Sequence, residues 1–180
     1  MNTCKGLAGI ILTASLLLPV PALSRQLATA PESMHEAELA GFAALPDGSG
    51  AAVGLRVREP ERMVPIFIGV VEAAAIARAE QGVRPPRPMT HELLGDLLAA
   101  TDVQVLRLVI DDLREGIYHA AIEVRDARGR RHWVDTRPSD GLVLAVRHGI
   151  PILLAPAVVA PAPEPDMPAM APSRPVLTRI

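Results

Sequence analysis

Residues 103–135, VQVLRLVIDDLREGIYHAAIEVRDARGRRHWVD, decide the fold class. Residues 103–111 alternate and are rich in β-branched side chains, which suit a pleated, half-buried surface. Residues 112–116 carry turn chemistry and end on Gly116, and residues 117–124 read as the returning strand. On it Tyr118, Ala120, Ile122 and Val124 share one face, and His119 and Glu123 take the other, because successive strand side chains point to opposite sides. Asp126-Ala127-Arg128-Gly129 turns the chain again into a strand at 131–135. Turns this short join antiparallel neighbours, since a parallel crossover needs a dozen or so residues.

The pattern extends in both directions. Downstream, Pro138 opens a helix over residues 138–148, where its missing N–H is not needed. Leu142 to Val146 is apolar all round, which implies a helix buried on most sides, and Gly149 ends it before a last strand at 150–154. Upstream, strands are expected at 37–45, 51–57 and 63–68, the first two separated by the turn Pro46-Asp47-Gly48-Ser49-Gly50. Gly69 permits entry into a helix at 70–81, stopped by Gly82. Thr90 is the expected N-cap of a helix over 90–100, with Glu92 in the dipole-favoured first turn. Leu93, Leu94, Leu97 and Leu98 have the spacing of a buried stripe on that helix. The sum is one α+β domain at residues 37–155, a largely antiparallel or mixed sheet with about three helices packed on it.

The ends differ in kind. Residues 1–24 read as a secretory signal peptide: Lys5 in the n-region, an apolar run at 7–20, and small residues before Arg25. The run is shorter than the roughly 20 residues of a spanning helix, and an uncleaved anchor is the alternative. Cleavage there implies an exported chain, periplasmic or secreted, with no stable membrane insertion after processing. It would remove the only cysteine, Cys4, and the only lysine, leaving 17 Arg against 20 acids and a formal charge of −3. Such a chain has no disulfide, so burial must hold it together, and it has no thiol nucleophile. Its slightly acidic balance argues against a nonspecific nucleic-acid coat but not against a local basic cleft. With 49% hydrophobic but only 2% aromatic residues, the core must be aliphatic. Residues 25–36 read as a linker, and the proline-rich 156–180 as a disordered tail.

Two loops carry more polar chemistry than turning requires. Residues 84–96 hold Arg87, Thr90, His91 and Glu92, and residues 134–140 hold Asp135, Arg137, Ser139 and Asp140. Each precedes an apolar helix. The structural alternatives are specific. Glu92 and Asp140 are well placed as first-turn acids, Thr90 and Ser139 as caps, and Arg137 as a partner for Asp135 or Glu72. A second basic element, Arg125, Arg128, Arg130, Arg131 and His132 beside Trp133, suits either single-stranded nucleic acid or, more often, a solvated hairpin tip. No Walker loop, zinc-type Cys/His spacing or Ser-His-Asp signature is present.

Four ordered segments carry a resemblance. Residues 64–73 (VPIFIGVVEA), 87–94 (RPMTHELL), 135–140 (DTRPSD) and 149–152 (GIPI) resemble motifs of the bifunctional nuclease family, small domains active on DNA and RNA. The resemblance covers residues 37–154. It departs at Glu92, where the family usually has Asp, and at Gly141, where it usually has Ala.

What the resemblance implies is phosphodiester hydrolysis. That chemistry needs a positioned base for water, cations for the phosphate's developing charge, and help for the leaving oxygen. Glu72, His91, Glu92, Asp135 and Asp140 are the implied catalytic residues, and Arg87, Arg137, Thr90 and Ser139 the implied substrate-binding ones. Arginine's planar fork suits phosphate. Glu72, Asp135 and Asp140 would be the oxygen ligands of a divalent metal, Mg²⁺ or Mn²⁺. The implied partner is nucleic acid as substrate, and an exposed apolar face would support a homo-oligomer. The alternative is a non-catalytic binding or scaffold domain that retains the fold.

Overall fold

In the computed structural model, which describes residues 25–162, two antiparallel three-stranded units are spliced by a short strand, the last one expected from the sequence. The expected signal peptide, and the expected tail from residue 163 on, lie outside the described residues. The first unit is β1 (His35–Ala44), β2 (Gly50–Val57) and β3 (Arg62–Gly69), followed by helices α1 (Val70–Glu80) and α2 (Thr90–Ala100). The second is β4 (Gln104–Arg114), β5 (Ile117–Arg125) and β6 (Arg131–Thr136), followed by α3 (Pro138–His148). Strand β7 (Ile152–Leu154) then lies between the units, antiparallel to β1 and parallel to β4. The result is one mixed seven-stranded sheet, ordered β3-β2-β1-β7-β4-β5-β6. The α+β class expected from the sequence is what forms.

The core is aliphatic. Leu55, Val64, Ile76, Leu108, Ile110, Leu142 and Leu154 meet in one buried cluster. Helix α3 is its centre: every residue from Gly141 to Ala145 is buried, as the all-apolar run implies. Pro138 opens it and Gly149, at φ 61°, closes it in the left-handed conformation that glycine adopts without a steric penalty. A Cβ on Gly141 would lie 2.5 Å from Leu108 Cδ1, so glycine here lets α3 settle close on β4. The departure from the family's usual Ala has a packing reason.

Several expectations are corrected. Strand β4 runs on through Asp112 to Arg114, and the turn shrinks to Glu115-Gly116, with φ 51° and 77°. Two central residues with positive φ make the tight hairpin turn whose twist matches the strands. Met89, not Thr90, is the N-cap of α2. The leucine stripe is not buried: Leu93, Leu94 and Leu97 are exposed, because α2 packs on α3 rather than on the sheet. The expected tail starts too early. Ala155, Val158 and Val159 are buried, and Pro156–Val159 forms a short helix, α4, against β4 and β3.

The stretch before β1 is tied down. Pro31–Ser33 is a 3₁₀ turn. Upstream of it, Arg25 N donates to Trp133 O at 2.8 Å, and Ala28 N donates to Asp111 Oδ2 at 2.8 Å. Among the described residues no helix is long and apolar enough to cross a membrane.

Candidate functional site

Three helix starts come together, although α1 is entered from β3 and α3 from β6, the two outer strands of the sheet. Gly69 caps α1 and places Glu72 in its first turn; a Cβ on Gly69 would come 2.6 Å from Glu72 Oε2, so the bare glycine leaves room for that carboxylate. The α2 start supplies His91. The α3 start supplies Arg137, its N-cap, and Asp140.

The side chains form a continuous chain. Arg137 grips Asp140 with two donors, Nε to Oδ2 at 2.8 Å and Nη2 to Oδ1 at 3.1 Å. Its Nη1 donates to Glu72 Oε1 at 3.3 Å. On the other side of Asp140, Oδ1 lies 3.0 Å from His91 Nε2. Burial alone would raise the Asp140 pKa, but the Arg137 fork and His91 outweigh it and hold the carboxyl below its usual range. The Arg137 side chain is 66% exposed, so the charge is presented to solvent and not sealed in the core.

Two clefts meet at this chain. A smaller one of about 230 Å³ is bordered by His91, Asp140, Arg78 and Met89. A larger one of about 350 Å³ is bordered by Phe67, Ile117, Tyr118 and Ser139. Glu72 and Arg137 line both, so the pair forms the ridge between them.

The other expected residues fall out differently. Thr90 lines the smaller cleft, and the buried Ser139 lines the larger. Arg87 is exposed in the loop before α2, outside both linings. Glu92 borders the smaller cleft but is only 6% exposed; its carboxylate accepts from Met89 N at 2.9 Å and pairs with Arg147 of α3. Burial pulls its pKa upward, yet backbone donors and Arg147 prevail and leave it below the usual value. Glu92 therefore pins α2 to α3.

Asp135 is not in this cluster. It pairs across β5 with Ala121, one register position from Thr136, and its side chain faces the opposite side of the sheet, 3.3 Å from Arg25 Nε. The expected metal set of Glu72, Asp135 and Asp140 does not assemble. Among the described residues no three of His, Cys, Asp or Glu stand together as a metal site.

Sequence reasoning missed Arg78, Phe67 and Tyr118. Arg78 stands seven residues after Val71 and three after Ala75, on one face of α1 that lines the smaller cleft, a spacing visible in the sequence. Its Nε is buried without a hydrogen-bond partner among the described residues. The basic hairpin tip is largely engaged within itself: Asp126 accepts from Arg128 N, Arg130 N and Arg130 Nε, Arg131 pairs with Glu123, and Arg125 bonds Gln104.

Known proteins place the chain in a family. It is 41% identical over 128 residues to two proteins of Mycobacterium tuberculosis, uncharacterized protein MT1877 of strain CDC 1551 / Oshkosh and uncharacterized protein Rv1829 of strain H37Rv. The match covers 64% of this chain and 76% of each relative. The profile of the bifunctional nuclease domain matches residues 53–166, which take in Glu72, His91, Arg137 and Asp140. The chain belongs to the bifunctional nuclease domain family.

Proposed function

We propose that this chain hydrolyses phosphodiester bonds in DNA and RNA at the Glu72–Arg137–Asp140–His91 cluster. One observation carries the reading: a solvent-presented guanidinium is held at a cleft mouth by two carboxylates, with an imidazole joined to one of them. Family membership supports nuclease-related chemistry and nucleic acid as the substrate.

The residues supply matching roles. Arg137 offers a planar fork to phosphate oxygens and neutralises charge as it develops on them. Asp140 accepts the Nε2–H of His91, which leaves Nδ1 free to take a proton from water. The water oxygen bonds to phosphorus, the bond to the ester oxygen breaks, and that oxygen leaves as an alcohol after taking a proton from protonated His91. Glu72 holds Arg137 from the far side. Glu92, buried against Arg147, acts here through the placement of α2. Mg²⁺ or Mn²⁺ assistance stays part of the proposal on Glu72 and Asp140, the hard oxygen donors facing this cleft, and no step above runs through the ion.

The test is cleavage of single-stranded DNA and of RNA by the purified chain with Mg²⁺, Mn²⁺ or EDTA. Activity is expected, with about a 100-fold loss in His91→Ala and in Asp140→Asn. Copurifying activity that survives both substitutions removes the site assignment. A folded protein that cleaves neither polymer is a binding domain instead. Export, periplasmic or secreted, belongs to the same proposal and rests on residues 1–24. Mass spectrometry of the mature N-terminus is expected to find Arg25 first, and a cytosolic chain with intact Met1 refutes export.

A further inference from the structure

The larger cleft is built unlike its neighbour. The chain has only four aromatic residues, two Phe, one Tyr and one Trp, and two of them, Phe67 and Tyr118, border this one cleft. Phe67 projects from β3 and is 65% exposed, and Ile117 across from it, at the start of β5, is 62% exposed. Large apolar side chains left open around a concavity mark a binding surface. The lining is partly bare, since Gly69 and Gly116 contribute no side chains to it. At about 350 Å³ it falls within the roughly 300–1,000 Å³ of ordinary small-molecule sites.

Position identifies the occupant. Arg137 and Glu72 form the shared wall between this cleft and the smaller one that holds His91 and Asp140. A phosphodiester gripped by Arg137 must send its flanking nucleosides to either side of that wall. One side is smaller and has no aromatic side chain in its lining; the other offers an aromatic ring, an aliphatic side chain and a phenol. A nucleobase has two flat apolar faces and polar edges, which is the complement of that lining. Burial raises the Tyr118 pKa, so its hydroxyl stays protonated and available to a base edge.

We propose that the Phe67–Ile117–Tyr118 cleft is a base-stacking subsite that takes one unpaired nucleobase next to the phosphate at Arg137, so that this chain selects single-stranded over duplex nucleic acid. In a duplex both faces of each base are already covered by stacking and its edge by pairing, so the cleft cannot engage it without opening the helix. The inference rests on the nuclease reading above, and its test separates the two.

The experiment is fluorescence anisotropy of the full chain with end-labelled, phosphorothioate-linked thymidine strands of about 12 units, within the footprint of single-strand binders. The comparison strands are an abasic one of equal length and charge, and a duplex. The thymidine strand is expected to bind about tenfold tighter than the abasic one. Phe67→Ala should abolish that difference and Phe67→Tyr should keep it, with the thermal midpoint unchanged in both because the ring is exposed. Equal affinity for thymidine and abasic strands, or for single strand and duplex, overturns the base subsite while leaving the phosphate site standing. Failure of every strand to bind a folded chain sinks the nuclease reading itself. If Phe67→Ala instead converts a sedimenting dimer to a monomer and leaves strand discrimination intact, the cleft belongs to a second copy of the chain and the subsite is refuted.

Discussion

Two clusters of the same residue types sit on opposite faces of the β4–β5–β6 unit, and they are built for different work. On the helix face, Arg137 lies between Glu72 and Asp140 with His91 beyond, and the guanidinium side chain is mostly exposed. On the other face, Arg25 clamps Asp111 at 2.8 Å; that arginine side chain is 14% exposed and the aspartate 0%. Nearby, the buried Glu123 takes Arg107 at 2.5 Å and Arg131 at 3.2 Å, and Arg107 lies 5.9 Å from the centre of the Trp133 ring. The composition of the two clusters is nearly the same. Their difference is access. A charge pair sealed from water resists rearrangement, because breaking it strands a buried charge. A pair at a cleft mouth exchanges partners with a ligand at little cost. Acid–arginine chemistry in a sequence is thus neutral evidence until burial divides it.

The sharpest way to break this comparison is a crossed pair of substitutions. Arg137→Ala is expected to lower kcat/KM by about 100-fold or more with a small change in urea midpoint. Asp111→Ala is expected to lose roughly 3 kcal/mol of stability while the folded fraction keeps its activity. Steady-state cleavage and equilibrium unfolding on both variants check it. Loss of activity in Asp111→Ala at an unchanged midpoint would erase the distinction between the clusters.

A smaller effect tests a residue between the two classes. Glu92 touches the cleft lining, but its bonds run to Met89 and Arg147. Glu92→Ala is expected to cost roughly 2 kcal/mol in unfolding, the size of a buried acceptor and cation left unmatched, with the cleavage rate of the folded protein within a few-fold. A rate loss as deep as that of His91→Ala, at full stability, would move Glu92 into the chemistry.

The smallest effect is a slope. The Asp140 and Glu92 pKa values are both lowered in the folded chain. A depressed native carboxyl contributes stability that is present above its unfolded pKa and is lost as pH falls through the native value. Urea midpoints should therefore fall as pH drops below the usual carboxylate range, and Asp140→Asn should flatten part of that fall. An unchanged slope in the variant shows that the Arg137 fork contributes nothing to folding.

Much of this was legible in residue order, and the gaps have identifiable causes. Strands 103–111 and 117–124 and the helix at 138–148 were readable because period and punctuation are local properties. Glu72, His91, Arg137 and Asp140 were readable as candidates because polar loop chemistry and the family motifs single them out, and the fold brings their side chains together. Asp135 was misplaced because a one-residue step along a strand reverses the face. The register Ala121↔Asp135 and Glu123↔Trp133 sets it on the Glu123 side, and counting back from the 126–130 turn would have shown this. The leucines of α2 were read as buried because a stripe reveals an apolar face but not whether anything covers it. Val158 and Val159 were passed over because the prolines around them outweighed two aliphatic side chains.

Residue order alone carries the local elements, the aliphatic core composition and the identity of the chemical groups. Those follow from backbone propensity and from apolar spacing, both short-range. That β7 joins β1 to β4, that three helix starts bring Glu72, His91, Arg137 and Asp140 together, and that Arg137 forms a wall between two clefts emerge with the folded chain alone. These depend on pairings between residues far apart in the chain, whose energies come from mutual burial and leave no periodic trace in either segment alone.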